Sequence, residues 1–324
     1  MKKTAIITGI TGQDGAYLSQ LLLQNDYQVI GIIRSYTSSN FNGLNYLKIK
    51  DKITFVECDL LDISHIINVI KEYQPDEIYN LAAQSSVSLS FAQPIGTFTF
   101  NTLSVFNILE AIKLVNSKIK FYQASSSEMY GGAKHLPIDE DTEINPVSPY
   151  AISKAAAHWT CINYRKSYNL FICCGILFNH ESVLRSRNFF IKKVVTDCLK
   201  IKAGTLDKIE VGNINISRDF GFAKSYVETM YLMMQQPEAD NYVICSGKST
   251  TLKQIIEIVF DILDLPGSCL SINNKLFRPS EIDDIYGTAE KAKRVLNWTY
   301  SYDIHDLMKV LVEEEIAISK NENR

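Results

Sequence analysis

Thr4-Ala5-Ile6-Ile7-Thr8-Gly9-Ile10-Thr11-Gly12-Gln13-Asp14-Gly15 decides the fold of this chain. Its first five residues are apolar or β-branched and read as a buried strand. The glycines then recur at Gly9, Gly12 and Gly15, a G-x-x-G-x-x-G spacing. Residues 15–24 follow with Tyr17, Leu18, Leu21 and Leu22 at helical spacing, which predicts a helix with that side inward. Strand, glycine turn and helix together bind a pyrophosphate. The glycines allow a tight turn and close backbone approach, and the helix N-terminus presents free N–H groups. A glycine-rich turn alone is a weak sign. In this context it predicts a dinucleotide cofactor held by Gly9, Thr11, Gly12, Gln13, Asp14 and Gly15.

Outward from that unit, short apolar runs predict further strands at 28–33, 53–58, 77–81, 118–124 and 170–177. Helical periodicity falls between them, at 63–73 and near 101–114. This alternation specifies the α/β class, a Rossmann-type doubly wound parallel sheet. After about Asn179 the rhythm changes to shorter elements and a stretch rich in Arg and Lys. We therefore expect a cofactor domain over 1–178 and a smaller mixed C-terminal substrate domain over 179–324. Segments near 217–247, a helix at 226–236 and a strand at 241–245, are expected to return to the first. An amphipathic C-terminal helix at 304–320 should end in a charged, frayed tail.

Bulk properties exclude several classes. A net charge of −3 over 324 residues offers no global field for nucleic acid or an anionic membrane surface. No run approaches the roughly 18 consecutive apolar residues of a membrane span. The apolar start at residues 4–7 ends at Thr8-Gly9, too soon for a signal-peptide core. Seven cysteines, an odd number with no C-x-x-C pair, point to reduced core thiols. The expectation is a cytoplasmic protein with no disulfide framework and no metal site.

The end of the second strand reads Ile32-Ile33-Arg34-Ser35. NAD binders usually carry a carboxylate there for the ribose 2′-hydroxyl. None is present, and Arg34 offers a charged fork to a 2′-phosphate, which favours NADP. An ordinary surface arginine is the alternative. Asp59, followed by Leu60 after the third strand, is placed to accept from the adenine amino group, or equally to cap its own loop.

Tyr150-Ala151-Ile152-Ser153-Lys154 puts a phenol and an ammonium at i and i+4, on one side of a helix. The lysine charge favours the phenolate, which can take a proton from a sugar hydroxyl as hydride leaves the same carbon. A plain amphipathic pair is the alternative. The spacing gains meaning from Ser125-Ser126-Ser127, about 24 residues earlier at the end of the fifth strand, where a hydroxyl would meet the reacting oxygen. Pro146 and Pro149 set the entry to the helix.

The glycine turn, the serine cluster and Tyr150/Lys154 resemble the extended short-chain dehydrogenases/reductases. The match narrows with Asn80-Leu81-Ala82-Ala83-Gln84-Ser85, Tyr122-Gln123-Ala124-Ser125-Ser126-Ser127-Glu128-Met129-Tyr130-Gly131, Gly175-Ile176-Leu177-Phe178-Asn179-His180-Glu181-Ser182 and Phe277-Arg278-Pro279-Ser280-Glu281. In order and over nearly the whole chain, these resemble the GDP-mannose 4,6-dehydratase family. The resemblance implies a hydro-lyase acting on a GDP-sugar with NADP. Ser126 takes the family's hydroxyl position, commonly threonine, and Glu128, Tyr150 and Lys154 match its glutamate, tyrosine and lysine. Glu128 would remove the C5 proton of a transient 4-ketose and help expel the C6 hydroxyl; a helix-cap role is the alternative. Leu81, Ala82, Ala83, His180 and Arg185 match cofactor contacts. Ser85, Asn179, Arg218, Arg278 and Glu281 match nucleotide-sugar contacts. The segment 34–47 resembles a loop that reaches a neighbouring subunit, implying a homodimer or homotetramer.

Three departures bear on the substrate and the cofactor. Ser35 stands where the family often has a second arginine, and Ser86 where a histidine is frequent. Residues 183–188 differ from the usual Pro-Arg-Arg-Gly-Glu pattern. Another GDP-sugar such as a GDP-heptose therefore stays open. A nucleotide-sugar 4-epimerase or 4-keto reductase would use Tyr150 and Lys154 without needing Glu128. The complete Ser126, Glu128, Tyr150 and Lys154 set argues against a cofactor-sensing module without catalysis.

Overall fold

The protein is described by a computed structural model covering residues 2–322. Thr4–Thr8 forms β1, paired in parallel with β2 (Gln28–Ile33) on one side. On its other side lies β4 (Glu77–Asn80), and β3 (Thr54–Glu57) pairs with β2 beyond. The sheet continues through β5 (Lys120–Ser126) and β6 (Ile172–Leu177) to β7 (Asn241–Ile244), again all parallel. The order β3-β2-β1-β4-β5-β6-β7 makes a seven-stranded doubly wound sheet. The strand order reverses between β1 and β4, which opens a crevice at their carboxyl ends where ligands bind in such sheets.

Parallel strands need helices on both faces, so they read as apolar throughout rather than alternating. Every residue of β6 is buried. On one face α1 (Gln13–Gln24) packs with α5 (Ala223–Met234). The other face is covered by α2 (Ile63–Tyr73), α3 (Pro94–Val115) and α4 (Pro149–Tyr168).

Two elements depart from the sequence reading in ways that matter. The fifth strand runs to Ser126 rather than stopping at 124, so Ser125 and Ser126 stand on the sheet itself, while Ser127 opens the turn that follows. Helix α3 starts at Pro94, not near 101, with proline in its first turn where a missing N–H costs nothing. Its buried side carries Thr97, Asn101, Thr102 and Ser104, and these inward polar groups hide the apolar period. By length and composition α3 is apolar enough to cross a bilayer. Here it is a core helix packed against α2 and α4.

A separate apolar cluster forms where helices Phe190–Lys202, Leu252–Leu263 and Ile304–Glu322 meet. Between the two regions the buried Asp219 carboxylate accepts from Ser246 N (2.8 Å), Ser246 Oγ (2.6 Å) and Gly247 N (2.9 Å). Those donors offset the desolvation of the charge and pin the exit of β7. Of the charged tail, the backbone is described to Glu322; Asn323 and Arg324 lie outside the described residues. All seven cysteines are free and buried.

Candidate active site

The crevice is shaped first by two glycines. Gly9 has φ +69°, and a Cβ there would sit 2.8 Å from Ala82 N. A Cβ on Gly15 would lie 2.4 Å from Gly9 O. Neither position accepts another residue, so the turn presses against β4 and leaves the start of α1 open. The Thr8 hydroxyl reinforces the contact by accepting from Leu81 N (3.2 Å) and Ala82 N (3.1 Å) while donating to Asn80 Oδ1 (2.6 Å).

Over this turn runs a groove of about 480 Å³. Its walls include the loop residues Gly9, Thr11 and 12–15, Arg34 after β2, Asp59 and Leu60 after β3, and 81–83 after β4, all of them expected cofactor contacts, together with Ser38, Ser39, Asn40 and Phe100, which were not. Arg34 is exposed, its guanidinium 5.9 Å from the Phe100 ring. Asp59 lines the groove and also caps its loop, accepting from Leu61 N at 2.9 Å.

Asp14 and His180 meet at 2.9 Å, Oδ2 to Nε2, while His180 Nδ1 lies 2.7 Å from Phe178 O. Burial opposes both charges, yet the pair overrides it. His180 and Arg185 draw Asp14 below the usual carboxylate range, and Asp14 raises His180 above the ordinary imidazole value. Gln13 donates to His180 O (3.1 Å) and accepts from Ser182 Oγ (2.8 Å), locking the loop to the short strand Asn179–Glu181 and its exit.

Helix α4 supplies the second half of the site. Ser148 caps it, accepting from Ala151 N at 3.1 Å, and Pro149 occupies its first turn. Tyr150 and Lys154 are thus presented from its first turns, both buried. Lys154 Nζ donates to Ala124 O at 2.6 Å, and the Tyr150 phenol faces the Ser126 hydroxyl. Burial lowers Lys154 to about 8. It also raises Tyr150 to about 12, against the Ser126 hydroxyl and the Arg185 charge.

A cavity of about 230 Å³ gathers Ser126, Glu128, Tyr150 and Lys154 with Asn179, Arg218 and Arg278. It adjoins the groove, since Asp14, Leu81, Ala83, Ser85 and Arg185 line both. His180 lies on the cavity side. Arg218 is held deep, one guanidinium nitrogen donating to Ser217 O and Ile282 O at 2.7 Å each. Glu281 does not line the cavity; its Oε1 accepts from Arg278 N at 3.2 Å and steadies that loop. Sequence reasoning missed Glu181, which lines the cavity, and His158, which stands behind it. His158 falls one helical turn beyond Lys154, a spacing that could have drawn attention to it.

A family model described as GDP-mannose 4,6 dehydratase matches residues 6–311. The chain belongs to this family. A GDP-mannose 4,6 dehydratase of Arabidopsis thaliana is 41% identical over 99% of this chain and 92% of its own length. A GDP-mannose 4,6 dehydratase of Homo sapiens is 36% identical over 98% and 93%. The fold matches a solved dTDP-glucose 4,6-dehydratase from Bacillus anthracis in complex with NAD (TM-score 0.85). That match is 22% identical and covers 98% of each chain.

Proposed function

We propose that this chain converts GDP-mannose to GDP-4-keto-6-deoxymannose as an NADP-dependent 4,6-dehydratase. The observation that carries this reading is the Glu128 carboxyl in one cavity with Tyr150, Lys154 and Ser126. A redox pair alone would suit an epimerase; the added carboxyl supplies the base that dehydration needs.

The glycine cradle, which a Cβ at Gly9 or Gly15 would fill, fits a dinucleotide pyrophosphate. When bound, the nicotinamide cofactor supplies the hydride acceptor for sugar C4 and the hydride donor for C6. The chain's own residues then handle protons. Tyr150, assisted by the Lys154 ammonium and Ser126, takes the C4 hydroxyl proton. The resulting ketone acidifies C5–H, and Glu128 removes that proton. Glu128 passes it to the C6 hydroxyl, which leaves as water. The proton held by Tyr150 goes to C5 once C6 is reduced. The balance is the loss of one water, with the cofactor regenerated.

Arg218, Arg278 and Asn179 suit the diphosphate and sugar, and Ser85 the sugar side of the groove. Arg34, with no carboxylate at the end of β2, supports NADP over NAD. Packed helices α3 and α4 expose Ile95, Phe98, Leu103 and Phe106 on one and Ile152 and Trp159 on the other. That apolar face supports a homodimer. The division near residue 178 into cofactor and substrate domains is part of the same reading.

The test is incubation with GDP-mannose and NADP, followed by mass spectrometry. Loss of one water from the sugar is expected. Dehydration of a GDP-heptose alone would move the substrate and keep the reaction, whereas an isomer of unchanged mass would replace the dehydratase by a 4-epimerase.

A further inference from the structure

Three successive residues at the end of β5 are each tied to α4. Ala124 O receives the Lys154 ammonium at 2.6 Å. Ser125 Oγ lies 2.8 Å from His158 Nδ1. The Ser126 hydroxyl meets the Tyr150 phenol. The outer two ties belong to the catalytic set; the middle one is unexplained by it. His158 is 2% exposed, Ser125 is 3% exposed, and the imidazole does not line the cavity. The same ring also neighbours the Cys174 thiol on β6. One buried imidazole therefore hydrogen-bonds α4 to β5 and sits beside β6. Burying it is costly unless its nitrogens are paired, and the partner of Nδ1 is on the sheet rather than on the helix.

We propose that His158 is a positioning residue of the catalytic centre, clamping Ser125 so that Ala124 and Ser126 meet Lys154 and Tyr150 in register. The inference rests on the reading of Ser126, Tyr150 and Lys154 as the reacting set. The mechanism is geometric. Ser125 is covalently between the two residues that orient the lysine and tyrosine, so freedom at Ser125 becomes misplacement on both sides. Such sites lose rate steeply with small displacements.

The test compares His158→Phe, His158→Asn, Ser125→Ala and the Ser125→Ala/His158→Phe double variant in the full chain. Phenylalanine keeps the ring volume without the hydrogen bond, and asparagine keeps a polar group near the Nδ1 position. His158→Phe is expected to lower kcat about tenfold while KM for GDP-mannose stays within about twofold. His158→Asn should recover most of the loss, and adding Ser125→Ala to His158→Phe should cost nothing more. Melting curves verify that each variant is folded. Unchanged kcat in His158→Phe, or His158→Asn as slow as His158→Phe, overturns the proposal.

A titration with NADPH alone separates this inference from the sugar assignment. His158→Phe is expected to bind NADPH at least about threefold more weakly, as loss of the Lys154 orientation would cause, with His158→Asn restored. If the wild type turns over no GDP-mannose, the substrate reading falls and this titration decides. Equal NADPH affinity in all three proteins then removes the positioning role.

Discussion

The backbone N–H of Glu128 donates to the Ser126 hydroxyl at 3.2 Å, so one oxygen both starts the turn that carries the glutamate and meets the Tyr150 phenol. The base and the redox pair are thereby set from a single point. Glu128→Gln keeps the turn and removes the base. Dehydration should fall by about 10²–10⁴-fold while oxidation at C4 persists, seen as NADPH absorbance that builds up on mixing with GDP-mannose. Wild-type rates of water loss in this variant would remove Glu128 from the mechanism.

Lys154 should make activity and stability respond to pH in opposite senses. Burial lowers its folded value to about 8 from the 10.5 of an unfolded lysine. Between those values the unfolded chain binds the extra proton, so this group's contribution makes stability rise with pH over that window. Activity should fall above about 8 as the ammonium is lost. Lys154→Met should lose activity about 10²-fold or more without a lower melting temperature at pH 7, because a buried cation is replaced by an apolar side chain of similar length. A marked drop in melting temperature would contradict this.

The Asp14–His180 pair predicts a window of its own. His180 is raised above 6.5, so its contribution is complete below 6.5 and is lost as pH rises through the folded value. Asp14 is lowered below 3.8, so its contribution is complete above 3.8 and is lost as pH falls through the folded value. Between 3.8 and 6.5 both are present. His180→Ala should cost about 3 kcal/mol there, because a largely buried carboxylate loses its charged partner and keeps only the Gln13 hydrogen bond and the more distant Arg185 charge. Denaturant midpoints of the two proteins from pH 3 to 9 provide the check; a difference independent of pH is the contrary result.

Arg34 stands exposed at the groove end with no hydrogen bond to hold it elsewhere among those described. Arg34→Ala should weaken NADP about tenfold and leave NAD nearly unchanged, since only the 2′-phosphate distinguishes them. Fluorescence titration with NADPH and NADH measures both. Equal losses would assign the residue to the shared diphosphate instead.

Trp159, 55% exposed on α4, is the largest side chain on the apolar face. Trp159→Glu should shift the protein towards monomer in size-exclusion chromatography with light scattering, with melting temperature changed by only a few degrees. A wild type that is already monomeric would dispose of the dimer.

Much of this was legible along the chain. The shape of the β1 turn was legible because glycine's freedom is a property of single residues, and the placing of Tyr150 and Lys154 on one helix because helical spacing is local. Predicted helix 63–73 agrees with the observed Ile63–Tyr73, which Asp62 caps from a neighbouring position. Helix α3 was misplaced because its inward polar residues serve partners elsewhere: Asn101 bonds Ser153 at 3.0 Å, a contact across 52 positions. Glu281 was expected against the sugar, and its turn toward the Arg278 backbone depends on how one loop closes.

The sequence by itself determined the glycine turn after β1, the alternation that builds the parallel sheet, and the phenol–ammonium pair on one helical side. These follow from backbone freedom and periodicity between near neighbours. Only the tertiary structure decided that Asp14 meets His180 from the far end of β6, that Glu128 shares a cavity with Tyr150, and that His158 grips the strand behind Lys154. Those contacts join residues distant along the chain, and they exist because helices covering a parallel sheet bring its strand ends to one edge.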